Sequence, residues 1–112
     1  MSRADLTPLE RMLNLLGLAR RARVLEVGQD RVFEALRSGA KQLVLTANDI
    51  SPNVLRHVTA AVERGTARHL SLAEIDRTAL GAQLGVASAQ IVAIPSGNGL
   101  AIKILNIYEN RE

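Results

Sequence analysis

The sequence contains no cysteine, which excludes disulfide bonds and every thiolate metal site. Tryptophan is missing too, and Phe33 and Tyr108 are the only aromatic residues. That scarcity counts against an RNA-binding surface made of stacked aromatic rings. His57 and His69 are the only histidines; they fall in different predicted elements with no carboxylate at ligand spacing, so a zinc site lacks its donors. Both read as structural or surface residues. No apolar window approaches a membrane span, and the amino-terminal stretch has no apolar core of signal-peptide length. The expectation is a cytoplasmic protein whose first six or so residues are flexible. Lysine is nearly absent as well, with Lys41 and Lys103 alone.

What is present is apolar aliphatic mass and arginine. A chain of 112 residues that is 47% apolar can build one continuous core of Leu, Val, Ile and Ala, and one domain is expected. The formal charge is +3 and its carriers are mostly guanidinium groups, which match phosphate with a planar fork of donors. A nucleic-acid partner is mildly favoured; charge alone is equally compatible with an ordinary basic protein.

Thr7-Pro8-Leu9-Glu10 has the form of a capping box, and Leu9, Met12, Leu13, Leu16 and Ala19 follow with the spacing of one buried helical face. Gly17 in that helix implies close packing against a neighbour, since glycine there costs about 1 kcal/mol relative to alanine. Arg20, Arg21 and Arg23 suit the helix end and equally suit phosphate contact. A short extended run, 24–27, stops at Gly28. A helix over 29–38 then buries Val32, Ala35 and Leu36 and ends at Gly39. Leu43-Val44-Leu45 is a strand covered on both faces. Ser51-Pro52 starts a helix whose stripe is Val54, Leu55, Val58, Ala61 and Val62.

The next boundary has two readings. Either a strand over 66–70 gives way to a capping box at Ser71-Leu72-Ala73-Glu74, or the strand runs on to Ile75 and Asp76 caps the helix; both end near Leu84. An uncharged loop, Gly85, Val86, Ala87, Ser88 and Ala89, precedes a strand over 90–95. After the Ser96-Gly97-Asn98-Gly99 turn, Leu100, Ala101, Ile104, Leu105 and Tyr108 share one side of a closing helix; alternation of Leu100, Ile102 and Ile104 as a strand is the weaker option. The alternation of helix and strand implies an α/β fold, a three-layer α/β/α sandwich on a four-stranded mixed sheet.

No catalytic constellation emerges. The Val27-Gly28-Gln29-Asp30 turn has one glycine and an acid where a nucleotide loop needs several glycines, and Gly97-Asn98-Gly99 is a tight turn. Ser51, Ser71 and Ser96 are accounted for by capping or turns, and Asp30 with Glu34 is a solvated pair rather than an acid/base dyad. Neither enzyme activity, cofactor, metal nor small-molecule substrate is expected.

The run Leu13-Asn14-Leu15-Leu16-Gly17-Leu18-Ala19-Arg20-Arg21-Ala22, then Gly28, then the block from Ala35-Leu36-Arg37-Ser38-Gly39-Ala40-Lys41 to Ala47-Asn48-Asp49, then Leu80-Gly81-Ala82-Gln83-Leu84-Gly85, resembles the kink-turn RNA-binding ribosomal-protein superfamily. The likeness is to the L-seven-Ae and L-thirty-e type, and within it to the small bacterial YlxQ-like members. It covers almost the whole chain from about Leu9. It implies an α/β/α sandwich with RNA at one end. In the family, a Gly-x-Asn-Glu turn with a lysine one helical turn later enters the groove at sheared G·A pairs, and an apolar loop before the last strand closes over bulged nucleotides. By position, the resemblance implies RNA contact by Gly28, Gln29, Asp30, Arg31 and Glu34, and by Gly85, Val86, Ala87, Ser88 and Ala89. Arg20, Arg21, Arg23, Arg37 and Lys41 would supply phosphate contacts. This chain departs from the pattern at three positions: Asp30 replaces the amide, Arg31 the carboxylate and Glu34 the lysine. Asp30 still accepts from a guanine edge and Arg31 still reaches O6 and N7 or phosphate.

The expectation is a non-catalytic protein that binds a structured, kink-turn-like RNA, ribosomal or translation-associated, as a monomer. The alternative is a protein-interaction domain that keeps the fold and has lost the RNA site.

Overall fold

The computed structural model describes residues 5–111. The expectation of a flexible start concerns residues 1–6, of which 1–4 lie outside the described residues. The elements run α1 (Pro8–Arg21), β1 (Glu26–Val27), α2 (Gln29–Arg37), β2 (Gln42–Ala47), α3 (Pro52–Glu63), β3 (Ala67–Leu72), α4 (Arg77–Leu84), β4 (Ile91–Pro95) and α5 (Gly99–Glu109). No helix among them is long and apolar enough to cross a membrane.

Local chemistry explains most of the helix starts. The Thr7 hydroxyl accepts from the Glu10 amide at 3.1 Å while the Thr7 amide donates to the Glu10 carboxylate at 3.0 Å. These bonds, the one from the Thr7 backbone first, hold the Glu10 carboxyl below its ordinary range. Ser51 caps α3 by accepting from Val54, and Asn98 caps α5 by accepting from Leu100.

The sheet order is β1-β4-β2-β3. β4 is antiparallel to both β1 and β2, whereas β2 and β3 are parallel, so the sheet is mixed. Every residue of β2 is buried. Its side chains alternate between two cores: Leu43, Leu45 and Ala47 meet α1, α4 and α5, and Val44 meets α2 and α3. Val92 and Ile94 join the first core, Ile91 and Ala93 the second. The result is the expected three-layer α/β/α sandwich.

Four local expectations need correction. The open boundary resolves in favour of Asp76, whose side chain accepts from the Ala79 amide at 2.8 Å; Ser71 lies within β3 and caps nothing. Leu55 and Val62 are 37% and 41% exposed, because only Val54, Val58 and Ala61 of α3 face the sheet. Ala35 is only half-buried beside Val32 and Leu36. Gly17 is not closely packed: a Cβ there would touch only the tip of Arg21, at 3.6 Å. The close approach occurs instead at Gly81. At the carboxyl end, α5 replaces any strand alternation, and Ile102 points to solvent.

Candidate nucleic-acid interface

The candidate surface forms where β1 feeds α2. Gly28 caps α2 with φ +95°, and its amide donates to the Ile91 carbonyl at 3.0 Å. Few side chains tolerate that backbone angle, so a glycine is required here. No side chain caps α2, leaving the first-turn amides of Gln29, Asp30 and Arg31 open to an anion or an acceptor edge.

The β1–β4 ladder decides what lies beside this turn. Val27 pairs with Val92 and Glu26 with Ala93, so Gly28 sits at the start of β4, next to the loop formed by residues 85–89. A groove of about 490 Å³ is lined by Arg20, Arg23, Arg31 and Val86 above Leu25, Glu26 and Val27. Three separated arginines and one loop residue thus meet. Among the described residues, Arg20 and Arg23 have no carboxylate within 4.0 Å, and Arg31 only approaches Glu26 at 3.9 Å with its side chain 74% exposed. Such cations retain most of their capacity for an outside anion.

The loop is fastened rather than free. Gly85 ends α4 with φ +75°. The Val86 amide donates to the Gly81 carbonyl and the Ala89 amide to the Arg77 carbonyl, both at 2.9 Å. Arg77 is itself held: its amide and Nε donate to the Asp49 carboxylate at 2.9 and 3.3 Å. The Gln90 side chain accepts from Ser51 at 2.8 Å. Hydrogen bonds therefore tie the loop, α4 and the β2–α3 turn to one another.

Not all of the sequence-derived residues converge. Gln29 and Asp30 are exposed on the first turn of α2, outside the lining of the groove. Glu34 lines a neighbouring groove with Arg23 and Arg31. Ala87 and Ser88 are exposed, but Ala89 is 3% exposed and acts as an anchor rather than a contact. Arg21 lines a depression between α1 and α4 with Leu18 and Gln83. Arg37 and Lys41 lie at the far end of the sheet, where Gln42 pairs with Pro95. The sequence reading gave no role to Glu26, Arg77 or Gln90, and named Asp49 and Gly81 only within the blocks that carry the family resemblance.

No family model matches the chain. RNA-binding protein YlxQ of Bacillus subtilis is 30% identical over 95 residues, which is 85% of this chain and 92% of that protein. A solved structure of a protein with unknown function from Bacillus halodurans C has a TM-score of 0.78 at 23% identity, covering 89% of this chain and 98% of the other. The 15.5kD RNA binding protein of Giardia lamblia has a TM-score of 0.70 at 21% identity, covering 91% of this chain and 85% of the other. The two structures establish a shared fold. The sequence identity with YlxQ, sustained along nearly the whole of both chains, goes further, and this chain belongs to the YlxQ family.

Proposed function

We propose that this chain is a non-catalytic RNA-binding protein. It takes a structured, kink-turn-like RNA, ribosomal or otherwise tied to translation, as a cytoplasmic monomer. The observation that carries the reading is the meeting of Arg20, Arg23 and Arg31 with Val86 beside the uncapped start of α2. Arginines and helix-start amides position a phosphate backbone, while the apolar loop offers a surface to unstacked bases. The RNA-binding name of the YlxQ relative and of the Giardia structure supports the same reading.

The test is a titration of a kink-turn stem and a plain duplex of equal length at one fixed salt concentration. Preference for the kinked stem is expected. Arg31→Ala removes a base-edge or phosphate contact worth about 1–3 kcal/mol, or roughly 5- to 150-fold in affinity. Arg64→Ala, at the end of α3, leaves affinity within about twofold, as surface substitutions away from a site do. Equal affinity for the two RNAs with a steep salt slope reduces the interaction to phosphate attraction, and equal losses from both substitutions remove the surface.

A further inference from the structure

The two edges of the sheet differ. On the β1 side the outer ladder has only two rungs, and beyond them β4 shows Ile94 and Pro95, the latter with no amide hydrogen to offer. On the other side lies β3, six residues long and paired with β2 in one unbroken register from Gln42 with Ala67 to Ala47 with Leu72. It has neither a proline nor a bulge, two of the devices that close an edge to further pairing.

One bond shows which backbone groups of β3 face outward. The Gln42 amide donates to the Thr66 carbonyl at 3.0 Å, while the residue in register with Gln42 is Ala67. Successive residues of a strand turn their N–H and C=O to opposite sides, so Thr66, Arg68, Leu70 and Leu72 face β2. Ala67, His69 and Ser71 face away, and among the described residues their backbone groups meet no partner. Exposure agrees: Leu70 and Leu72 are buried, Ala67 and His69 are half-buried, and Ser71 is exposed.

The side chains beside this row set what fits. α3 packs on β3, whereas α2 packs on β1 and β4. Phe33 and His57 stack with ring centroids 4.3 Å apart, so His57 marks the flank of α3 that faces α2. Leu55 and Val62, apolar yet exposed, stand about 160° and 140° around the helix from His57. They therefore occupy the flank beside the free edge. The strip they form is about 10 Å long, roughly the reach of three residues of an extended chain. On the other face of β3, Arg68 is bonded to Glu109 of α5 at 3.0 Å, which draws it toward that helix rather than out across the edge. Both side chains of that pair are about half exposed, so the guanidinium still attracts a second carboxylate.

The unpaired row calls for another strand, and its neighbours decide whose. The two-fold antiparallel register that pairs all three outward residues would set His69 against the His69 of a second copy. It would also bring the two Arg68 side chains to diagonal positions on one face, about 7–8 Å apart, where like charges repel. A foreign strand meets no such conflict. Its apolar side chains cover Leu55 and Val62 on one face, and its carboxylates stand beside Arg68 on the other. We propose that the β3 edge takes up an extended peptide segment of a partner protein, with apolar and acidic residues alternating, as a fifth strand. Main-chain bonds supply the affinity and the alternation sets the face. The proposal does not rest on RNA binding: β1, which leads to Gly28, is the opposite edge of the sheet, so RNA and peptide occupy the chain together.

The experiment titrates the full chain, free and bound to a kink-turn stem, with fluorescein-labelled Val-Glu-Val-Glu-Val-Glu-Val, by anisotropy and by amide hydrogen exchange in NMR. At a free peptide concentration of about ten times the dissociation constant, exchange at Ala67, His69 and Ser71 is expected to slow about tenfold. Arg68 and Leu70, already bonded to β2, should not change. Two further peptides carry backbone N-methyl groups, one on the valines and one on the inner glutamates. One pattern blocks the bonds to β3 and loses binding, and the other faces solvent and keeps it. Leu55→Ser combined with Val62→Ser weakens the parent peptide about tenfold. Lysine in place of glutamate weakens it about threefold, and Arg68→Glu reverses that preference. Equal effects of the two methylation patterns overturn strand addition, as does slowed exchange in α3 or α5 with none in β3. Self-association of the chain that protects the same three amides without peptide assigns the edge to a second copy and overturns the proposal. So does a peptide that fails to bind at millimolar concentration. The methylated peptides need no protein variant, and the RNA titration is separate, so each reading fails on its own.

Discussion

Gly81→Ala sets two effects against each other, and the structure decides between them. Gly81 lies inside α4, where alanine is favoured by about 1 kcal/mol on helix propensity. Its Cβ, however, would sit 2.6 Å from the Ser88 Cα, 2.8 Å from the Ser88 nitrogen and 2.9 Å from the Val86 oxygen. Carbon atoms pack at about 3.5–4.0 Å, so the loop must retreat by roughly 1 Å. These neighbours are backbone and cannot swing aside. The retreat stretches the Val86-to-Gly81 hydrogen bond and starts to uncover Ala89. Overpacking costs about 1–3 kcal/mol and the weakened bond about 1 kcal/mol. Set against the propensity gain, the net loss is about 1–3 kcal/mol, a fall in melting temperature on the order of 5–10 °C. Circular-dichroism melting measures it. The RNA readout is separate: discrimination between kinked stem and duplex should fall by about 5-fold or more, since one base contact is worth about 1–3 kcal/mol, while the salt slope set by the arginines is unchanged. A variant that is more stable than the parent by about 1 kcal/mol, with discrimination intact, refutes the packing of the loop on α4 and its part in recognition.

Asp76→Ala removes the α4 cap and should cost about 1 kcal/mol in chemical denaturation, whereas Ser71→Ala should stay within about 0.5 kcal/mol; the reverse order puts the helix start at Ser71. Burial lowers His69 below its ordinary value of 6.5, with its ring bonded to the Thr46 hydroxyl at 2.8 Å. Between the depressed native value and 6.5 the unfolded chain binds more protons, so stability rises with pH through that window and is lost as pH falls through it. Denaturation midpoints at pH 5.5 and 7.5 should differ in the parent and differ less in His69→Gln; equal differences in the two proteins remove His69 as the cause.

The fold was legible wherever one short segment carried its own reason. Thr7 with Glu10, Ser51 with Pro52 and the unbroken apolar run of β2 specify their elements locally, and the structure keeps all three. The β3–α4 boundary was not legible, because two good caps stand five residues apart and the choice between them is tertiary. Leu72 is drawn into β3 by its pairing with Ala47, and Arg77 is fixed by Asp49. Burial of Leu55 and Val62 failed for a similar reason: periodicity gives the direction of an apolar stripe but not the width its neighbours cover. Gly17 and Gly81 present one signal and opposite environments, which only the neighbour across the helix distinguishes.

The candidate site depends on the same kind of fact. Arginines were visible in the sequence, but their grouping follows from directions of travel. α2 begins beside Ile91 and runs back toward the Pro95 end, carrying Arg37 away from Arg31. β4 does the opposite for the loop: residues 85–89 stand far from Gly28 in sequence, yet the pairing of Val27 with Val92 makes them neighbours. A one-residue slip in that short ladder would turn Glu26 and Val27 to opposite faces and separate Arg31 from Val86. Two rungs are little to hold a register, so the Gly28 amide bonded to Ile91 becomes a third, and the positive φ that places this amide requires glycine. Gly28 therefore matters to the proposed interface less as a contact than as the residue that fixes where α2 begins relative to the loop.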